Sequence, residues 1–396
     1  MSILRKAGWP LVAAAVWTVG YAQGQTLAVE PLTSPAGASS SVPQMTIEGD
    51  RAILSWVEQP GKSATLKFAE RTLSGWSDPR VVVSNDRLMV NSSDVPSVRA
   101  MPDGTLAAHW MEQHGADPDA YDLRVSWSTD GQQWSVPVAP NRDTTVSQHG
   151  FATLFPTVTG GLGLVWLDGR TTHGDEGDMQ LRAATFDKDH KLLSDTAIST
   201  RVCECCPTSV AIGSRGPIAA YRNRSVGEIR DVYVTRLDSG RWSTPIAVHQ
   251  DNFKIDGCPI NGPSIAARDQ QVVVAWFTAP DDNGQSFVAF SRDGGRTFGK
   301  ATRVDEVESL GRVSVGLQPD GSAIVGWVEL GKPVSQFRVR RIDVNGKRGP
   351  AFTVATVTGT RIPRMVLVRS EAVFAWTEVE KESTRVQTAW IRLGPN

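Results

Sequence analysis

The sequence predicts an all-β chain folded as a ring of seven four-stranded blades, a seven-bladed β-propeller. Three observations predict it. Gly and Pro are frequent (36 and 23 of 396 residues), and no long apolar stretch of helical period appears. A short apolar phrase closed by an aromatic residue recurs along the chain, and every copy keeps similar neighbours.

The phrase is "AILSW" ending at Trp56, "LAAHW" at Trp110, "LGLVW" at Trp166 and "PIAAY" at Tyr221. It continues as "VVVAW" at Trp276, "AIVGW" at Trp327 and "AVFAW" at Trp376, at intervals of 54, 56, 55, 55, 51 and 49 residues. Upstream of each stands a proline expected to open the innermost strand: Pro43, Pro96, Pro156, Pro207, Pro263 and Pro363. The sixth copy carries Arg312 there instead. After the aromatic come a polar loop, an alternating third strand such as "YDLRVSWSTDG", a turn, and a short fourth strand such as "STPIAV" or "GKATRV". Radial repetition buries each sheet against its neighbours.

Ring closure is legible too. The seventh unit ends on a third strand, "RVQTAWIRL", while "QTLAVEPL" near the N-terminus belongs to no unit. Pairing the two would protect both edges. Six blades is the alternative if one repeat is degenerate.

Residues 1–22 read as a secretory leader: Arg5 and Lys6, an apolar run too short for a good membrane span, then Gly20 and Ala22 before the cut. Residues 23–396 are expected to form one domain, exported to the periplasm or secreted, where cysteines oxidise. With 41 basic and 42 acidic residues, the chain offers neither a nucleic-acid footprint nor a polybasic membrane patch. Its oligomeric state cannot be read from the sequence.

Two turns, "STDGQQWS" (128–135) and "SRDGGRTF" (291–298), carry the S-x-D-x-G-x-x-W/F pattern, with eroded copies in "LDSGRWS" and "LSGWS". On these the chain resembles the sialidase-like Asp-box, or BNR-repeat, propellers. The motif is structural: its Asp accepts backbone N–H groups of the turn, and its aromatic packs between blades. Standard sialidases have six blades, a late tyrosine nucleophile and an early Arg-Ile-Pro phrase. Here the tyrosines are Tyr21, Tyr121, Tyr221 and Tyr233, and "RIP" falls at Arg361–Pro363 in the last unit. The chain departs from the standard sialidase pattern.

On the propeller layout, loops leading into innermost strands share a face with the loops joining second and third strands. That face gathers chemistry around blades three to five. Carboxylates Asp168, Glu176, Glu228 and Asp231 are candidates for acid and base roles. Arg170, His173, Arg222, Arg224 and Arg230 are candidates for gripping an anion. His149 and His249 are weaker candidates, and inter-blade salt bridging is the plainer reading of the charges.

"RVCECCPTSV" brings Cys203, Cys205 and Cys206 into the loop before the fourth innermost strand, and "DGCPINGP" brings Cys258 to the fifth. Export favours two disulfides. A Cys205–Cys206 link would be strained, so one of these two is expected to pair with Cys258 and the other with Cys203. A thiolate site for Cu or Zn, or a redox-active thiol, remains an alternative.

Three functions follow as expectations: a non-catalytic propeller binding an anionic glycan, peptide or protein on the blade three-to-five face; a divergent glycoside hydrolase of the sialidase type; or a metal-handling or redox protein. The hydrolase would need carboxyls about 5 Å apart for retention, or about 6.5–9.5 Å for inversion.

Overall fold

A computed structural model describes residues 28–394, apart from 116, 118–119, 173–175, 332, 359–360 and 381–382. The expected leader lies outside the described residues, and so does His173. Among the described residues no helix is long and apolar enough to cross a membrane.

The chain is a seven-bladed propeller of antiparallel sheets. Blade I comprises Ser40–Glu48, Arg51–Glu58, Ala64–Glu70 and Arg80–Asn85; blade II comprises Ser97–Ala100, Leu106–Gln113 and Tyr121–Ser128. In blade II an isolated Val125–Val138 bridge stands where the fourth strand would pair. Blade III comprises His149–Pro156, Leu162–Asp168, Gln180–Phe186 and Leu192–Ser199. Blade IV has Ser209–Gly213, Gly216–Arg222 and Val232–Asp238, with Arg241–Trp242 and Ile246–Ala247 both pairing the third strand. Blade V has Ser264–Arg268, Gln271–Thr278, Gln285–Ser291 and Thr302–Arg303, and blade VI has Ser309–Leu317, Ala323–Glu329, Ser335–Ile342 and Phe352–Val357.

Blade VII has Arg364–Val368, Glu371–Glu380 and Ser383–Arg392, and its fourth strand is the N-terminal segment Glu30–Leu32. Glu30 lies opposite Trp390 and Leu32 opposite Thr388, so the expected closure forms.

The repeated aromatic explains why the sheets stack as a ring. Trp56, Trp110, Trp166, Tyr221, Trp276 and Trp327 are each at most 1% exposed. The buried apolar side chains fall into seven clusters, one at each junction between neighbouring blades. Innermost strands touch their neighbours all the way round and line a central channel of about 600 Å³.

Two of the turns after third strands are held by an aspartate side chain. Asp130 Oδ1 accepts the N–H groups of Gln132 and Gln133, and Trp134 packs edge-on against Phe68 of blade I. Asp293 Oδ1 accepts the N–H groups of Arg296 and Thr297. Slight burial works to raise the Asp293 pKa, but bonds from Thr297, Ser291 and Arg296 outweigh it and hold it at about 2.

One expectation is corrected. Pro156 closes the innermost strand of blade III instead of opening it, because that strand starts at His149. Near its start Phe151 has φ +56°, and Asp94 of blade II accepts its N–H at 2.7 Å. A proline would have no N–H to give there. Blade VI, which also lacks the opening proline, repeats the device: Arg312 has φ +55° and donates its N–H to Asn261 of blade V at 2.9 Å. Gly150 and Gly311 precede these two residues, and a Cβ on either would fall 1.9 and 2.3 Å from the accepting side chain.

Candidate functional site

The four cysteines form two disulfides, Cys203–Cys206 and Cys205–Cys258. The second ties the loop leading into blade IV to the loop leading into blade V, next to channel-lining Pro207 and Ile260. This is one of the pairings the sequence allowed. With every sulfur bonded to another, the cluster offers no thiolate to Cu or Zn in this state.

The clip shapes the channel mouth. Ile260, a β-branched residue two positions beyond Cys258, has φ +47°, a conformation such side chains resist. A Cβ on Gly262 would fall 2.0 Å from the Pro207 carbonyl oxygen, so the joined loops run in close contact.

Around the disulfides lies a closed ion-pair network. Arg201 Nη2 donates to Glu228 Oε1 at 2.9 Å, and Arg224 Nε donates to Glu228 Oε2 at 2.9 Å. Arg224 Nη1 also reaches Glu204 Oε1 at 2.6 Å. Arg230 donates to Glu204, to Glu228 and weakly to the Cys203 sulfur at 3.6 Å. Asp178 completes the set beside Arg201, giving three cations and three carboxylates. Hydrogen bonds from Arg224 dominate over a small desolvation cost at Glu228, and with Arg201 and Arg230 they pull its pKa down to about 2. Glu228 is therefore a fixed carboxylate at neutral pH. The same bonds to Glu228 raise the pKa of Arg224.

Arg222 is 1% exposed and serves the backbone: its guanidinium donates to the carbonyls of Asn261, Arg230 and Phe277. Burial, opposed by Asp251 and Asp231 and aided by Arg230, lowers its pKa to about 10. Asp231 accepts the N–H groups of Asn252 and Phe253, anchoring the loop after the fourth strand of blade IV. Glu176 is exposed on the blade III loop.

Asp168 belongs to a second cluster, on blade III. It accepts from Trp166 Nε1 at 2.7 Å and from the backbone N–H, Nε and Nη2 of Arg170. Four donors fill a carboxylate's acceptor positions. Trp56 donates likewise to Glu58 and Trp110 to Glu112, so Asp168 is one copy of a recurring indole–carboxylate pair. Arg170 also meets Asp143 and Asp195. Burial works against its charge, but Asp168, Asp195 and Asp143 together raise its pKa. His149, fully buried, lies 3.3 Å from Asp143, 3.5 Å from Asp122 and 3.8 Å from Asp168. His249 is half exposed and pairs with Asp251, which also accepts Trp276 Nε1.

The structure therefore gathers Arg224, Arg230, Glu228 and the cysteines into one patch, and Asp168 with Arg170 into another. Sequence reasoning missed Glu204, Arg201 and Asp143, whose partners are fixed only by folding. It also noted Arg312 merely as a break in the proline pattern. Arg312 lines the channel, and its Nη1 is shielded from solvent without a hydrogen-bond partner among the described residues. Arg364, on the neighbouring innermost strand, meets the Pro43 carbonyl oxygen at 3.4 Å. Among the described residues neither forms a salt bridge. Burial lowers the pKa of each to about 10, and at Arg364 the charge of Arg312 adds to the effect.

No known protein family and no curated protein matches the chain. Solved structures do resemble it. A protein of unknown function from Dyadobacter fermentans is 14% identical, with TM-score 0.50, over 78% of this chain and 97% of that one. The polysaccharide lyase Uly1 is 11% identical, with TM-score 0.53, over 95% of this chain and 94% of its own. An alpha-L-arabinanase from Penicillium chrysogenum is 12% identical, with TM-score 0.51, over 77% of this chain and 96% of its own. At these identities the likeness is one of fold.

Proposed function

We propose that this chain is an exported propeller that binds an acidic glycan at the mouth of its central channel, with Arg312 and Arg364 as the anion anchors. The observation that carries this reading is the shielded Nη1 of Arg312, which among the described residues has no hydrogen-bond partner, beside the Arg364 guanidinium, which among them forms no salt bridge and meets the Pro43 carbonyl oxygen. Two cations held near each other in a partly buried site repel, and a carboxylate lodged between them would reverse the sign of that interaction. The arginines of the blade III-to-V rim already spend their charge on Glu204, Glu228, Asp168 and Asp195. The names of two fold relatives, a polysaccharide lyase and an arabinanase, support the glycan half of the reading.

Calorimetric titration with polygalacturonate and with neutral arabinan tests it. Polygalacturonate should bind and arabinan should not, and Arg312→Gln with Arg364→Gln should weaken binding about tenfold or more, as for lost charge-assisted pairs. Equal binding of both polymers, or an undiminished double variant, would sink the proposal. Glu228→Gln separates the two surfaces, because it uncovers charge on Arg224 and Arg230. Tighter binding in that variant would move the site to the rim.

A further inference from the structure

We infer that the two disulfides form a relay that accepts electrons from an external dithiol at Cys258 and delivers them to the buried Cys206. The inference is independent of glycan binding and rests on the placement of the sulfurs. Cys203 Sγ and Cys205 Sγ belong to different disulfides yet lie 3.8 Å apart, essentially in van der Waals contact. The sulfurs of Cys203, Cys205 and Cys206 all lie within 4.8 Å of one another.

Access is graded along the path. Cys258 is exposed and Cys205 half-buried, whereas Cys203 and Cys206 are 0% and 1% exposed. A dithiol from solution therefore meets the Cys205–Cys258 bond first. Arg230, held by Glu204 and Glu228, places Nη1 3.6 Å from Cys203 Sγ, where a cation stabilises thiolate charge developing in the cluster. A structural clip explains Cys205–Cys258, which spans 53 residues, far better than Cys203–Cys206, which spans three. Closing so short a loop constrains the unfolded chain little. A buried disulfide in contact with an exposed one is what transfer between them requires.

The exchange balances as follows. One thiolate of the dithiol attacks Cys258 Sγ, forming a mixed disulfide and expelling the Cys205 thiolate. That thiolate attacks Cys203 Sγ, forming a Cys203–Cys205 bond and expelling the Cys206 thiolate, which takes a proton. The second thiol of the dithiol then attacks its own sulfur in the mixed disulfide and releases Cys258 as a thiol. The dithiol leaves as a disulfide. The protein has gained two electrons and two protons and keeps one disulfide.

The test is mapping of the disulfides after anaerobic treatment of the whole protein with one equivalent of dithiothreitol, acid quenching and N-ethylmaleimide labelling. The relay gives label on Cys206 and Cys258 in equal amounts, with Cys203 linked to Cys205. Label on Cys205 and Cys258 with Cys203–Cys206 intact at every time point would overturn it, as would resistance of both disulfides to the reagent. Cys258→Ser supplies an internal check, since its Cys205 starts as a free thiol. In that variant a Cys203–Cys205 bond with free Cys206 should accumulate, and recovery of Cys203–Cys206 alone would refute the transfer step.

Discussion

Asp94 Oδ1 accepts the Phe151 N–H at 2.7 Å, so a carboxylate from the loop leading into blade II holds the first turn of blade III. Its other oxygen takes the Tyr121 hydroxyl at 3.0 Å, and Gln148 donates to that hydroxyl in turn. Asn261 and Arg312 repeat the first contact between blades V and VI. In both blades without an opening proline, an Asp or Asn from the preceding blade thus supplies an acceptor for a left-handed residue. The two differ in one respect, that Asp94 can ionise.

This difference sets a pH dependence. Burial raises the Asp94 pKa from 3.8 to about 7 against the opposing pull of Phe151 and Tyr121. The folded state then binds more protons than the unfolded chain across that window, and this contribution is full below pH 3.8 and lost as pH rises through 7. His109 acts in the opposite sense. Its burial lowers the pKa from 6.5 to about 4, so its contribution is full above 6.5 and lost as pH falls through 4. The two slopes largely cancel in the native protein. Asp94→Asn removes one, and its urea-unfolding free energy should climb between pH 4 and 6.5 more steeply than that of the unmodified protein. By pH 8 the difference should reach a few kcal/mol in the variant's favour. Parallel profiles for the two proteins would show that Asp94 is not protonated in the fold.

The Trp166–Asp168 pair carries a second prediction. Asp168→Ala leaves the indole N–H and part of the Arg170 fork without an acceptor in a buried site, which costs about 3–5 kcal/mol. Asp168→Asn keeps an acceptor for Trp166 and should cost clearly less. Glu112→Ala, the equivalent change in blade II, should behave like Asp168→Ala, because Trp110 and Arg124 depend on it in the same way. Denaturant titration decides the matter. A loss below about 0.5 kcal/mol for Asp168→Ala, the range of ordinary surface changes, would leave the pair without structural weight.

The blades were legible because each aromatic of the repeat has a single task, filling one inter-blade core, which its residue type announces. The disulfide bridge between blades was legible in part: the ring layout brings Cys258 to the loop of Cys205 and Cys206, but it does not say which of the two bonds it, and the structure selects Cys205. Charged residues carry no such label. Arg222 and Arg224 look alike in "YRNRSVGEIRD", yet one feeds three backbone carbonyls and the other two glutamates. Which fate applies depends on side chains and carbonyls contributed from distant segments, such as Asn261 and Phe277. Pro156 was misread because proline fits both the start and the end of a strand, and only Asp94, outside the repeat phrase, shows where blade III begins.

Ring closure gives the last prediction. Glu30–Leu32 supplies the outermost strand of blade VII, and its neighbourhood adds hydrogen bonds from Thr388 Oγ1 to the Leu32 carbonyl and from Ser34 Oγ to the Val386 carbonyl. Leu32 also packs against the core between blades VII and I. Deleting residues 28–34 removes these bonds and exposes the ladder groups of Ser383–Arg392 as a free edge. At roughly 1 kcal/mol for each net hydrogen bond, plus the lost apolar contact, the cost should be on the order of 3–5 kcal/mol. An open edge also invites pairing between molecules. The truncated protein should unfold several degrees lower and elute from size exclusion as concentration-dependent aggregates. A truncated protein that elutes as the intact one does, with an unchanged melting temperature, would mean that the blades hold the ring without the N-terminal strand.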